Sequence, residues 1–145
     1  MIKSLKKYKE TGHFLFKVND NLGKVCNAPN DKAGVYLIYA LKDSNKQLIY
    51  VGSSGHINNA GKLSIRKTGG GGIKGRIVNG HQFGKVKRHK SWPVQMQKDS
   101  IDCLEIHWFV THNNDFKESP SYIEYSLLRE HFTANNVLPK WNKKF

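Results

Sequence analysis

Glu124 is the residue whose setting is hardest to explain without chemistry. Ile123, Leu127, Leu128 and Phe132 follow Ser119-Pro120 at helical spacing. At roughly 100° per residue, Glu124 falls in the middle of their apolar arc. A carboxylate there is costly unless it is paired or holds a metal ion. The plainer alternative is a capping box with Ser121, since Ser-x-x-Glu opens many helices. Glu130 lies off the arc and reads as solvent-facing. Tyr36 and Tyr50 carry phenols on two candidate strands, Gly34-Val35-Tyr36 and Tyr50-Val51-Gly52. Alone, they read as tyrosines in a sheet core. A zinc site from Cys103, His107 and His112 is disfavoured. The first two share a strand face, His112 faces the other way, and Cys26 would have to swing in. The two distant cysteines make no disulfide framework and read as reduced, partly buried thiols.

Charge is the strongest bulk signal. Lys and Arg number 24 against 11 Asp and Glu, a net charge of +13 over 145 residues. A chain this basic seeks polyanions, nucleic acid first among them, through counterion release from phosphates. The distribution sharpens the inference, because no Asp or Glu lies between Asp43 and Asp99. That interval holds Lys62, Arg66, Lys67, Lys74, Arg76, Lys85, Lys87, Arg88 and Lys90. Arg76 aside, these are the candidate nucleic-acid contacts. No apolar run is long enough to span a membrane, and the basic start lacks the apolar stretch of a signal peptide. A cytoplasmic protein is expected.

The elements that must carry these residues follow from local patterns. Residues 34–41 and 47–52 are β-branched and aromatic and flank the turn cluster Asp43-Ser44-Asn45-Lys46, which predicts an antiparallel hairpin. Residues 53–74, with Gly69 to Gly72 consecutive, read as a long basic loop. Residues 73–84 predict a short helix ending near a glycine, and 85–90 a second basic patch. Alternation at Leu104, Ile106, Trp108 and Val110 predicts a third strand. Residues 119–134 form the clearest helix, with Ser119 as cap and Pro120 in the first turn. Residues 1–33 are expected to form an N-terminal segment, with one short element such as a helix, packing on a domain of residues 34–145.

Gly34-Val35-Tyr36, Tyr50-Val51-Gly52 one hairpin later, Arg76 in the next helix, Glu124 early in the last helix and Asn142 near the end resemble the pattern of GIY-YIG nucleases. The resemblance covers residues 34–142. It implies an α+β fold, a small three-stranded antiparallel sheet flanked by helices. It also implies a divalent-metal-dependent DNA endonuclease acting on double-stranded DNA. Phosphodiester hydrolysis needs an activated water, neutralised phosphoryl oxygens and help for the leaving oxygen. By the resemblance, Glu124 holds one Mg²⁺ or Mn²⁺, Arg76 steadies the developing charge, and Tyr36 or Tyr50 positions or deprotonates the water. A phenol is a poor base near neutral pH unless cations such as Arg76, a metal or Lys62 lower its pKa. His81 sits five residues after Arg76, where some members carry a histidine after four. It reads as a proton shuttle or a phosphate contact. Asn142 is expected to support the site by hydrogen bonding. The 23 residues between Gly52 and Arg76 exceed the compact repair-type pattern and lean toward a stand-alone, restriction-like enzyme. Cutting both strands would need a homodimer or two sequential events. The competing reading is a non-catalytic nucleic-acid-binding module that keeps the fold.

Overall fold

Residues 2–145 are described by a computed structural model. The predicted hairpin forms β2 (Ala33–Lys42) and β3 (Asn45–Ser54), joined through Asp43 and Ser44, both at positive φ. Two positive-φ residues give the connection a twist that matches the strands it joins. The third predicted strand is β6 (Cys103–His112), which pairs antiparallel with β2.

The sheet has four strands rather than the three expected, in the order β1-β6-β2-β3, with β1 spanning Thr11–Lys17. The N-terminal segment does more than pack on the core: it hydrogen-bonds as a strand along β6. Phe14 and Phe16 are buried while His13 and Leu15 are exposed, a period of two within the apolar cluster. Within the expected loop, β4 (His56–Ile57) and β5 (Leu63–Ser64) form a small separate hairpin.

The helices are α1 (Leu22–Val25), α2 (Gly72–Asn79), α3 (Arg88–Lys98) and α4 (Pro120–Asn135). The third was not expected, because residues 85–90 read as a charged patch. Arg88, Trp92 and Met96, spaced four apart, share its buried side. Pro93 inside the helix breaks the helical pattern in the sequence and removes one backbone donor. Phe132, counted in the apolar arc of α4, is exposed and packs on Phe145.

Two apolar layers flank the sheet. On one face Tyr36, Ile38 and Ile106 pack with Ile73 and Ile77 of α2 and with Trp92 and Met96 of α3. On the other, Val35, Leu37, Val51 and Phe109 pack with Ile123, Leu127 and Leu128 of α4 and with Leu5 and Tyr8. Burying each large side chain contributes roughly 1.5–3 kcal/mol, so both layers matter to stability. The order of the strands leaves β3 at an edge, where α2 approaches from one face and α4 from the other. The chain end closes part of that edge: Trp141 N–H donates to the Ile49 carbonyl at 2.8 Å. Among the described residues, no helix is long and apolar enough to cross a membrane.

Candidate functional site

The two glycines of the tyrosine tripeptides are explained by close approach. Tyr36 stands opposite Gly52 in the β2–β3 register, and its ring lies across that glycine. A Cβ on Gly52 would come within 2.4 Å of Tyr36 Cζ. A Cβ on Gly34 would meet the Phe109 carbonyl oxygen at 1.9 Å. Gly34 thus permits the β2–β6 pairing, and Gly52 permits the Tyr36 ring.

Both phenols converge on a residue that the sequence pattern did not single out. Arg88, at the start of α3, is 1% exposed. Its Nη1 donates to Tyr36 Oη at 2.5 Å and to the Arg76 carbonyl at 3.0 Å. Its Nη2 donates to Tyr50 Oη at 3.1 Å, and its Nε to Gln82 Oε1 at 3.0 Å. The guanidinium carbon lies 5.4 Å and 5.3 Å from the two tyrosine ring centres. Arg88 was grouped with the nucleic-acid contacts. Its burial excludes that role, since all three guanidinium nitrogens are bonded inside the protein. Burial opposes its charge, but the two phenol oxygens outweigh it and raise its pKa. The one clue in the sequence was its i, i+4, i+8 spacing with Trp92 and Met96.

The tyrosines are not equivalent. Tyr36 is 0% exposed and acts as a strut, whereas Tyr50 lines a cleft of about 400 Å³ with His81, Glu124, Asn142, Lys143 and Lys144. Burial pushes the Tyr50 phenol up to about 12; the neighbouring phenol of Tyr36 and the Glu124 carboxylate add to this, while Arg88 and Arg76 pull it down. The expected lowering by cations is therefore present but outweighed. Tyr50 keeps its proton near neutral pH. With Arg88 donating to its oxygen, that proton is free to be donated outward.

Glu124 is half-buried on α4, and no capping box forms, because the cap is Ser119. Burial raises the Glu124 pKa, against the Ser53 hydroxyl and the charges of Arg76 and Arg88, which lower it. Arg76, half-buried on α2, lines an adjoining pocket with Ser53 and Ser121. The free edge of β3 thus brings Tyr50, Arg76 and Glu124 together from three elements. Glu130 is exposed.

Asn142 clamps the edge strand next to Tyr50. It donates to the Val51 carbonyl at 3.0 Å and accepts from Val51 N–H at 2.9 Å. His81 is not on the helix that carries Arg76, as the spacing suggested. α2 is capped by extended Gly80, and His81 pairs with Lys87 in an isolated bridge. It is exposed on the same cleft as Tyr50 and Glu124.

Of the other basic candidates, Lys62, Lys67, Lys85, Lys87 and Lys90 are exposed, while Arg66 and Lys74 are half-buried. Cys26 and Cys103 are free and buried. His107 contacts Glu105 at 3.0 Å and stacks on His13. Among the described residues, no group of three or more His, Cys, Asp or Glu side chains could hold a metal ion. A metal at Glu124 would therefore rest on one carboxylate, with water and substrate oxygens for the rest. A hard divalent cation accepts such a shell. Comparison with protein families, with curated proteins and with solved structures finds no match for this chain.

Proposed function

We propose that this chain is a divalent-metal-dependent endonuclease that hydrolyses DNA phosphodiester bonds, built on the GIY-YIG plan and acting as a stand-alone, restriction-like enzyme. The observation that carries this reading is the meeting of Glu124 with Arg76 at the edge of β3, beside Tyr50. Among the described residues lining the two clefts there, no other side chain is acidic.

The residues divide the work. Glu124 fits a Mg²⁺ or Mn²⁺ ion, since a half-buried carboxylate at an open cleft gains from a neighbouring cation what burial takes from its charge. When bound, the ion supplies charge neutralisation on phosphoryl oxygens and a more acidic water. Arg76 presents a fixed fork to phosphoryl oxygens. Tyr50, protonated and held by Arg88, donates a hydrogen bond to the attacking water or to a phosphoryl oxygen. His81 brings an imidazole to the same cleft, where it can serve as a proton shuttle or a phosphate contact. Lys143 and Lys144 add positive charge along the same cleft. Tyr36 and Asn142 hold Tyr50 and its strand in position.

The test is nicking of supercoiled plasmid by the purified chain, with Mg²⁺ or Mn²⁺ and with chelator. Metal-dependent nicking is expected, lost in Glu124→Gln and Arg76→Ala. Intact DNA binding without nicking under any metal would overturn the enzyme reading in favour of the non-catalytic module. Normal cleavage by Glu124→Gln would overturn the metal assignment alone.

A further inference from the structure

Beside the Glu124 cleft lies a second pocket of about 320 Å³ that the proposed chemistry does not fully use. Arg66, Arg76, His56, Ser53, Ser64 and Ser121 line it. Four elements of chain build it: the end of β3, the β4–β5 hairpin with the residues after it, α2, and the first turn of α4. Each contributes a cation or a hydrogen-bonding hydroxyl.

Three features point to an anion. Among the described residues, neither Arg66 nor Arg76 is ion-paired with a carboxylate. The Arg66 Nε is shut off from solvent and has no hydrogen-bond partner, so the protein does not tie down the guanidinium at that donor. Ser121 lies in the first turn of α4, whose leading amides lack partners within the helix and whose dipole favours negative charge. Two guanidiniums and a helix start thus line one small pocket, and the nearby carboxylate, Glu124, acts on Arg76 from the adjoining cleft.

We infer that this pocket binds a backbone phosphate of the nucleic acid next to the one that is cut, with Arg66 as its dedicated ligand and Arg76 shared between the two. The inference rests on the nuclease reading for the identity of the polymer and for the phosphate that is cut, while the pocket itself stands on its own residues. Arg66 then fixes where the strand lies relative to Glu124, and the β4–β5 hairpin exists to hold it there. Register on the strand is thus set by a preformed pocket, not by mobile surface lysines.

The experiment uses the full chain and a fluorescein-labelled DNA duplex in chelator, with anisotropy read across a salt series. Wild type, Arg66→Ala and Ser121→Asp are compared. Each variant is expected to bind roughly tenfold more weakly at moderate salt. Each should also lower the slope of log affinity against log salt by roughly one phosphate's worth. Ser121→Asp keeps the test decisive if Arg66→Ala unfolds, because an acid in the first turn supports the helix while filling the pocket with like charge. Unchanged affinity and slope in Ser121→Asp, or no duplex binding by wild type, overturns the inference. Plasmid nicking that persists alongside unchanged binding in the variants would defeat the pocket and leave the nuclease reading standing. Binding that depends on Arg66 without any nicking would do the reverse.

Discussion

Replacing Arg88 by alanine should be the most damaging single change near the site, although the residue reaches no substrate. Its side chain bonds Tyr36, Tyr50, Gln82 and the Arg76 carbonyl, and is 1% exposed. Hydrogen bonds to a charged group are worth roughly 1.5–3 kcal/mol each before the cost of burying the charge is set against them. Truncation removes that buried charge, which offsets part of the loss, but it opens a cavity and orphans the Tyr36 hydroxyl. Leaving a buried hydrogen-bonding group unsatisfied typically costs about 1–3 kcal/mol and the cavity adds to it, for roughly 3–5 kcal/mol in all. That is a large part of the 5–15 kcal/mol that stabilises most domains. At about 2–4 °C per kcal/mol for a chain near this length, Tm should fall by roughly 10 °C. Thermal or urea unfolding followed by circular dichroism reads the effect. Arg88→Lys should lose most of it too, since an ammonium cannot fork between two phenols. A double-mutant cycle with Tyr36→Phe isolates the shared bond, with a coupling of about 1–2 kcal/mol expected. A loss below about 1 kcal/mol in Arg88→Ala, or additive effects in the cycle, would refute the view that Arg88 ties the tyrosines together.

Gly52→Ala should cost roughly 1–3 kcal/mol by overpacking, because the new Cβ meets a Tyr36 ring that Arg88 holds in place; a wild-type melt would show that the ring can yield. Glu124→Gln should abolish nicking yet raise Tm. The folded pKa of Glu124 is raised, so its contribution to stability is present at low pH and is lost as pH rises through the folded value. The same variant should lose the Tm gain that Mg²⁺ gives wild type, and an equal metal-induced gain in both proteins would count against Glu124 as the ligand. Tyr50 titrates up at about 12 in the folded chain against about 10 unfolded, so its stabilisation is complete below pH ~10 and fades as pH climbs toward 12. Tyr50→Phe should flatten that alkaline loss, and an unchanged alkaline unfolding curve would argue against a buried, protonated phenol.

Elements with a clean period were legible in the chain itself. The β2–β3 hairpin shows as two β-branched and aromatic runs about a turn cluster, β6 as alternation from Leu104 to Val110, and α4 as helical spacing after Ser119 and Pro120. The half-buried place of Glu124 followed from the same helical arithmetic, since 3.6 residues per turn needs no tertiary knowledge. Strand β1 and helix α3 were hidden for physical reasons. The two alternate phenylalanines of β1 are interrupted by Leu15, an exposed apolar residue. In α3 the buried stripe includes a charged residue, and Pro93 argues locally against a helix.

What sequence determined, then, is chemistry by type: an acid-free basic stretch, phenols on strands, and a carboxylate on an apolar helix face. Tertiary structure decided which of these meet and in what state. Only the folded sheet order leaves β3 at an edge that both α2 and α4 can reach. Only there does Arg88, one basic residue among many in the chain, become the buried hub of two tyrosines while Arg66 and Arg76 line a pocket. Burial and partner are properties of long-range packing. Charge and spacing constrain them but cannot assign them, because an arginine on the surface and an arginine buried as a hub are the same residue type.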